Sequence, residues 1–273
     1  MTIRKLTTIA ALGALSMTTT ALAEGDPAVA FLDGLNTELA ASGYQLRVDQ
    51  MELLGSGEGL FMGRTVRASD HGNKQLPSDW SPVDPNRVSP SNIGYAIDTA
   101  DVTVDFPAAE QPDVVRFGLE TWDQQQCSDI GIVEQPAPAA DLGFVQLIVG
   151  FGGSFPSPGI DIVHGGFLPQ PFWDIIACEV PGSGCGNGIL GVNFTFTWTG
   201  GQDSDANGRN DTALKESYYN DEFTWVNDGV LGERGDGVFD FATVALHESG
   251  HALSRAHFGD VAIHHKKGLR TSP

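Results

Sequence analysis

The spacing of apolar residues predicts a succession of helices and strands along the chain. Residues 27–42 carry apolar side chains at helical spacing and stop at Gly43, and residues 44–51 then alternate between apolar and polar positions like a strand. Residues 69–90 are polar and rich in Pro, Asn and Asp, which is typical of a linker. The first 90 residues are therefore expected to form a small helix and strand followed by a linker.

From about Ile93 onward the pattern mixes both kinds of element. Helical spacing returns at residues 111–126, where Val114, Val115, Leu119 and Trp122 share one side. Strand patterns occupy residues 94–98, 144–150, 160–169 and 189–198. This order predicts an α+β or α/β fold built on a mixed sheet.

The composition is strongly acidic. Asp and Glu number 35 against 15 Lys and Arg, and the formal net charge is −20. Such a surface repels phosphate groups, which argues against nucleic acids and anionic membranes as partners. It favours a secreted protein that stays soluble in salt, or one that binds several calcium ions.

Residues 1–23 have the pattern of a secretion signal. Arg4 and Lys5 form a charged start, residues 9–15 are apolar, and Ala21, Leu22 and Ala23 form a small-residue cleavage site. The apolar stretch is too short to span a bilayer, and no other run approaches the required length. We therefore expect cleavage after Ala23, an extracellular location and no membrane anchor.

The chain has three cysteines, an odd number. Cys178 and Cys185 bracket a flexible loop, and they can form a local disulfide in an oxidising compartment. Cys127 would then be unpaired. The other pairings stay open on sequence grounds. Zinc ligation by these thiols is not expected, because none has the paired spacing of a structural zinc site.

The candidate chemistry lies near the C-terminal end, where five of the seven histidines fall between His247 and His265. His247 and His251 are four positions apart, so on a helix they project from one face. Two imidazoles so placed can bind one zinc ion, and Glu248 beside them can polarise a zinc-bound water. The alternative is an amphipathic helix whose surface histidines bind nothing.

With His257, the spacing HExxHxxxxxH resembles the zinc signature of the metzincin metallopeptidases, and residues 239–253 look most like their matrixin-type branch. The resemblance covers roughly residues 91–260. It implies that His247, His251 and His257 bind zinc and that Glu248 is the general base. It also implies a twisted mixed sheet backed by two long helices, the second of which carries the motif.

Two features depart from the family pattern. Ser254 stands where the family has a glycine, at the point where the helix ends and the chain turns left-handed, which costs serine on the order of 1 kcal/mol. All four methionines lie at or before Met62, so the methionine turn that the family places after the third histidine has no counterpart. We therefore expect residues 91–273 to be a C-terminally incomplete catalytic domain, with a truncated lower lobe and without the S1′ wall.

Residues 24–90 are then expected to be a prosegment-like region with its linker. The linker contains no cysteine, so a thiol switch of the kind that keeps some matrixins latent is missing. Whether this region inhibits, assists folding or simply belongs to the fold is open.

A second motif suggests calcium. Oxygen-bearing side chains stand at positions 1, 3, 5 and 9 of a loop like that of an EF-hand, with Gly208 at the sharp turn. These side chains are Asp203, Asp205, Asn207 and Asp211. Position 12, where a bidentate Glu belongs, is Leu214, so a plain solvated turn is the alternative. The acidic stretch 218–225 resembles the matrixin strand before the active helix, where acidic residues often hold calcium.

The remaining histidines are expected to lie outside the zinc site. His164 is a single histidine in a strand flanked by glycines, which favours a structural role or a place near the substrate edge over zinc ligation. His264 and His265 stand among lysines and are expected in a solvated terminus.

These observations predict a secreted zinc-dependent endopeptidase that acts on proteins or peptides. Zinc would lower the pKa of its bound water, and Glu248 would take the proton and pass it to the leaving amine. The substrate would lie extended along an edge strand of the sheet. The alternative function is a catalytically impaired or truncated metal-binding secreted protein, such as a calcium-stabilised binding module.

Overall fold

A mixed ten-stranded sheet organises the chain. The computed structural model describes residues 25–57, 63–69, 77–126, 131–178, 182–230, 237–257, 261–263 and 270–272. The predicted signal segment 1–23, Cys127 and the pair His264 and His265 lie outside these residues.

The strands are β1 (Leu46–Gly55), β2 (Arg64–Arg67), β3 (Ser78–Asp79), β4 (Asn92–Ile97), β5 (Gly131–Glu134), β6 (Ile162–Leu168), β7 (Ile189–Trp198), β8 (Asn210–Asn220), β9 (Thr224–Val226), β10 (Val238–Asp240), β11 (Val261–Ile263) and β12 (Arg270–Ser272). The helices are α1 (Pro27–Ala41), α2 (Gln111–Asp123), α3 (Phe144–Val149), α4 (Gln170–Ala177) and α5 (Phe241–Ala252), with short 3-10 turns at Ala108–Glu110 and Cys185–Gly188.

The strands follow the order β12-β11-β2-β1-β7-β8-β6-β4-β5, and β3 pairs beside β8. One half of the sheet, from β8 through β6 and β4 to β5, is parallel. The strands β2, β1, β7 and β8 pair antiparallel. Strands β9 and β10 form a separate parallel pair just before α5. The predicted mixed sheet is therefore confirmed.

Helices cover both faces of this sheet. Neighbouring residues of one strand point to opposite faces, and they pack into two different cores. Tyr218 joins a core with the apolar sides of α1, α3 and α4, whereas Tyr219 joins the core of α2 and α5. The fold is thus α+β, with α2 and α5 on one face as expected and three further helices on the other.

The N-terminal helix and strand belong to this sheet. Helix α1 begins with Asp26 as its N-cap and contributes Leu32 and Leu39 to the core. Strand β1 pairs with β7 along its length, from Leu46 opposite Trp198 to Gly55 opposite Ile189. The predicted helix and strand in this region are confirmed, and they share a core with the rest of the chain. The division of the chain into a prosegment-like region and a catalytic domain at residue 90 stays a prediction.

The described part of the predicted linker, residues 77–90, packs against the rest of the protein. The guanidinium of Arg87 pairs with Asp161 at 3.2 Å, with both side chains nearly buried. The indole of Trp80 donates to the carbonyl of Ala252 at 3.0 Å, at the end of α5. This stretch therefore touches the helix that carries the zinc motif.

The predicted strand at residues 144–150 is wrong, because Phe144–Val149 forms helix α3. This run of six residues is apolar except for Gln146, and such a short run suits a buried strand and a buried helical turn equally well. The buried carboxylate of Glu216 decides between them, since it accepts hydrogen bonds from the N–H groups of Phe144 and Val145 at 2.8 Å each. Gly150 then ends the helix in a left-handed conformation at φ 86°.

The remaining predicted elements are confirmed within a few residues. The strands at 94–98, 160–169 and 189–198 correspond to β4, β6 and β7, and the helix at 111–126 corresponds to α2. Cys178 and Cys185 are joined by a disulfide, which closes the loop after α4. Of the helices in the described ranges, none has the length and apolar character needed to cross a membrane.

The segment after the third histidine also enters the sheet. Strand β11 pairs parallel with β2, and β12 pairs antiparallel with β11. The described residues of this segment, 261–263 and 270–272, thus form regular backbone pairing.

Candidate metal centre

Helix α5 is fixed at both ends by local hydrogen bonds. The side chain of Asp240 accepts from the N–H of Thr243 at 2.7 Å and caps the first turn. At the other end, Arg255 N–H bonds to the carbonyl of Gly250 and Ser254 N–H to that of His251, which is the Schellman pattern. Ser254 has φ 66°, so the predicted left-handed turn at the family's glycine position is confirmed.

Side chains from other elements hold the second half of α5 in place. The indole of Trp122 in α2 donates to the carbonyl of Leu246 at 2.9 Å, and the buried ammonium of Lys215 in β8 donates to that of His251 at 2.7 Å. Gly118 lets α2 approach α5, since a Cβ there would lie 3.0 Å from the hydroxyl oxygen of Ser249. The helix therefore presents its histidines from a rigid position.

The structure brings the three motif histidines together. The Nε2 atom of His247 lies 2.9 Å from that of His251 and 2.9 Å from that of His257, and the last two are 3.1 Å apart. Zinc binds imidazole nitrogen at roughly 2.0–2.1 Å, so ligand nitrogens in a tetrahedral site lie roughly 3.3 Å apart. We call these residues the histidine triad; its spacing is close to that of a zinc site.

Hydrogen bonds behind the rings explain why a cation suits this cluster. His251 Nδ1 donates to the carbonyl of Arg255 at 2.6 Å, and His257 Nδ1 donates to the carboxylate of Glu52 at 2.9 Å. A neutral imidazole carries only one proton, so the Nε2 atoms of both rings present lone pairs. Two lone pairs that face each other at 3.1 Å repel unless a cation lies between them. The donor set therefore fits a metal ion.

The environment also keeps His247 and His251 of the triad unprotonated. Burial, together with the nearby His257, lowers the pKa of His247 to about 4. Burial and the two neighbouring histidines hold the pKa of His251 well below its usual value. Metal binding requires neutral imidazole, so these nitrogens are available at neutral pH.

Glu248 lies beside the triad in an unusual state. It is fully buried, and neither carboxylate oxygen has a hydrogen-bond partner among the described residues. Burial first, and then the nearby Glu52 carboxylate, raise its pKa well above the ordinary value. Gly191 of β7 makes room for it, because a Cβ there would lie 2.8 Å from Glu248 Oε1. No sequence pattern marks Gly191, because the contact that requires a glycine there is made with a residue of another element.

A cavity of about 210 Å³ opens next to the triad. His247 is part of its wall, and the rest is mostly apolar. The wall includes Leu54, Leu190, Phe239, Val244 and the glycine-rich end of β1. The cavity can therefore receive a small apolar group close to the histidine triad.

The predicted calcium loop folds around its own backbone. Asp203 accepts hydrogen bonds from the N–H groups of Asn207 and Gly208, and Gly208 takes the expected left-handed turn at φ 83°. Asp211 accepts from the Ser204 hydroxyl. In the described chain, the aspartates at 203, 205 and 211 are not among the groups of three whose ligand atoms converge. Calcium binding by this loop stays a prediction.

The fold also brings together three aspartates that no sequence pattern predicted. Carboxylate oxygens of Asp98, Asp101 and Asp141 lie within 4.8 Å of one another, and burial raises the pKa of Asp98 to about 7. The amide of Gln146 donates to Asp101 and Asp141, so the group is held by hydrogen bonds. These residues are up to 43 positions apart and follow no motif, so no sequence signal could have found them.

His164 is fully buried in β6, away from the triad, and its Nδ1 lies 2.8 Å from the Tyr219 hydroxyl. Burial lowers its pKa from 6.5 to about 3. Below about pH 6.5 His164 therefore binds a proton in the unfolded chain but not in the folded chain. The folded state loses stability as the pH falls from there toward 3. The position agrees with the expected structural role.

We expect His164→Asn to remove part of the acid sensitivity. The free energy of unfolding is measured with urea at pH 7 and at pH 5. Its decrease between these two pH values should be about 2 kcal/mol smaller in the variant than in the wild type. Tyr219→Phe is the matched control, because it removes the hydrogen bond but keeps the titrating ring. Equal pH dependence in His164→Asn and the wild type would show that His164 titrates normally.

No protein-family model matches the chain, and the curated proteins contain no match to it. Function must therefore be inferred from the chemistry of the histidine triad and its surroundings.

Proposed function

We propose that the protein is a zinc-dependent endopeptidase of the metzincin type, with the histidine triad as its metal ligands. The observation that carries the proposal is the convergence of three Nε2 atoms within 3.1 Å, with the outer nitrogens of His251 and His257 engaged by acceptors. Unprotonated imidazoles fixed in this way are the ligand set of a catalytic zinc site, which keeps its fourth position open. The acidic chain and the signal-like residues 1–23 support action outside the cell.

A bound zinc ion supplies Lewis acidity for the attack of water on a peptide carbonyl. Glu248 follows His247 directly in α5, and its carboxylate has no hydrogen-bond partner among the described residues, so it would be free to accept a proton from that water. Burial raises the pKa of Glu248, which makes its carboxylate a stronger proton acceptor, and the proton that it takes would then pass to the leaving amine.

We propose that the substrate is held chiefly by an apolar side chain in the cavity beside His247. The strand beside the site is β7, whose Gly191 faces Glu248. An extended substrate cannot pair with β7, because β1 and β8 already occupy its two sides. The end of β1 contributes Leu54 to the cavity wall beside His247. A small apolar residue next to the cleaved bond is therefore the favoured substrate feature.

The same strand arrangement favours a second candidate function. A β7 covered on both sides lacks the free edge along which extended peptides commonly bind. A secreted metal-binding protein that retains the triad without turnover has no need of that edge. Hydrolysis separates the two candidates, since both bind zinc.

The test is casein hydrolysis by the purified protein, with zinc and calcium present. We expect activity that disappears when dipicolinate removes zinc and returns when one equivalent of zinc is restored, because the triad is the only proposed source of Lewis acidity. Calcium without zinc is the control and should restore nothing. Stoichiometric zinc binding without any hydrolysis would overturn the endopeptidase in favour of the second candidate.

A further inference from the structure

We propose that Glu52 of β1 is a positioning residue for His257, so that the N-terminal region is part of the metal centre. The inference rests on the proposed zinc function. It assigns a role to a residue far from the motif, since Glu52 and His257 are 205 positions apart in the chain.

The carboxylate of Glu52 is buried and accepts hydrogen bonds on both oxygens. Oε2 accepts from His257 Nδ1 at 2.9 Å and from the Thr65 hydroxyl at 2.6 Å. Oε1 accepts from the Gln50 amide at 2.5 Å, and Gln50 in turn accepts from Arg67 Nε at 2.9 Å. The acceptor that faces His257 is thus fixed from several directions.

The backbone of the β1–β2 pair sets this arrangement. Glu52 stands opposite Thr65 and Gln50 stands opposite Arg67, so all four side chains share one face of the pair. Gly63, just before β2, also approaches the histidine, since a Cβ there would lie 3.0 Å from His257 Cδ2. The two strands therefore hold the ring of His257 both by a hydrogen bond and by contact.

An acceptor at Nδ1 does two things for a metal ligand. It keeps the proton on Nδ1, so that Nε2 offers its lone pair, and it stops the ring from rotating away. A negatively charged acceptor also makes the ring a stronger donor to a cation. His257 lies outside α5, beyond the turn at Ser254, so the helix alone does not orient its ring.

The role requires a carboxylate. Three donors converge on Glu52, and a carboxylate can satisfy all of them because it only accepts. Glutamine at this position offers one accepting oxygen and an NH₂ group that opposes a donor. Removal of outer partners of this kind costs roughly 10- to 100-fold in metal affinity.

The experiment compares Glu52→Gln with Glu216→Gln in the full chain. Glu216 is a matched control, because it is also a buried glutamate with three hydrogen bonds, but its partners are Phe144, Val145 and Tyr218. Zinc affinity is measured by competition with a chromophoric chelator. We expect Glu52→Gln to weaken zinc binding about 10-fold or more and Glu216→Gln to leave it unchanged. Equal weakening in both variants, or none in Glu52→Gln, would overturn the proposal.

Nitrogen NMR of the zinc-free protein gives an independent readout. In the wild type the ring of His257 should be in the Nδ1–H form, and in Glu52→Gln it should populate both forms. If Glu52→Gln does not fold, the wild-type spectrum decides, and an Nε2–H ring at His257 overturns the proposal.

Failure of this inference is distinguishable from failure of the proposed function. A wild type that binds zinc through an Nδ1–H His257 but does not hydrolyse casein leaves Glu52 in its role and rejects the endopeptidase. If the wild type hydrolyses casein and Glu52→Gln keeps full zinc affinity, the endopeptidase is supported and the positioning role of Glu52 is rejected.

Discussion

Replacing His251 by alanine is expected to abolish tight zinc binding, with a loss of affinity above about 100-fold, since loss of an outer partner alone costs roughly 10- to 100-fold. His251 is held on both sides of its ring, because its Nδ1 is bonded to Arg255 and its Nε2 lies within 3.1 Å of both other Nε2 atoms. Two remaining imidazoles cannot complete the triangle of nitrogens.

Thermal unfolding with and without zinc provides the measurement. Zinc that binds only the folded state adds about 4 kcal/mol at a free concentration 1,000 times its Kd. The wild type should gain this stability and His251→Ala should not. His164→Asn is the control, because it also removes a fully buried histidine but lies outside the triad. Zinc stabilisation of His251→Ala equal to that of the wild type would place the metal elsewhere.

The second large effect is expected from Glu248→Gln. We expect casein hydrolysis to fall by about 10²- to 10⁴-fold, the usual contribution of a general acid–base group. Zinc affinity should be retained, because Glu248 is not one of the converging ligands. The folded state should be no less stable, since a neutral amide replaces a buried carboxylate whose oxygens have no partner among the described residues.

Ser249→Ala is the control for this substitution. Ser249 is the next residue of α5 and is equally buried, and among the described residues its hydroxyl bonds only to the carbonyl of Ala245 within the same helix. It should keep both zinc binding and activity. Hydrolysis by Glu248→Gln at the wild-type rate would remove Glu248 from the proton transfer and leave the metal site standing.

Local pattern was enough to predict many of the elements. The 3.6-residue spacing of α1 and α2 and the alternation in β7 come from residues close in sequence, so a single pass along the chain finds them. The same reasoning failed at Phe144–Val149, because the deciding contact is with Glu216, more than 70 positions away. A short apolar run does not carry that information.

Long-range pairing also decides where the N-terminal strand lies. The sequence predicted a helix and a strand followed by a linker but not their partners; in the structure β1 lies between β2 and β7, and Trp80 bonds to the end of α5. Pairing partners of a strand depend on the whole sheet, and the sequence of β1 alone does not name β7. The cavity beside His247 and the acceptor for His257 both follow from this placement.

The sequence by itself determined which reactive side chains are present and how they are spaced. These are two histidines on one helix face, a glutamate between them, a third histidine after a left-handed turn, and a strongly acidic chain. These follow from residue identity and helical geometry, which are local. Only the tertiary structure decided that the three Nε2 atoms converge, that Gly191 leaves space for Glu248, and that Glu52 holds His257. The three histidines are at most 10 positions apart, but Glu52 lies 205 positions from His257, and Gly191 lies on a different element from Glu248. These long-range contacts exist only because the sheet brings its strands together around α5.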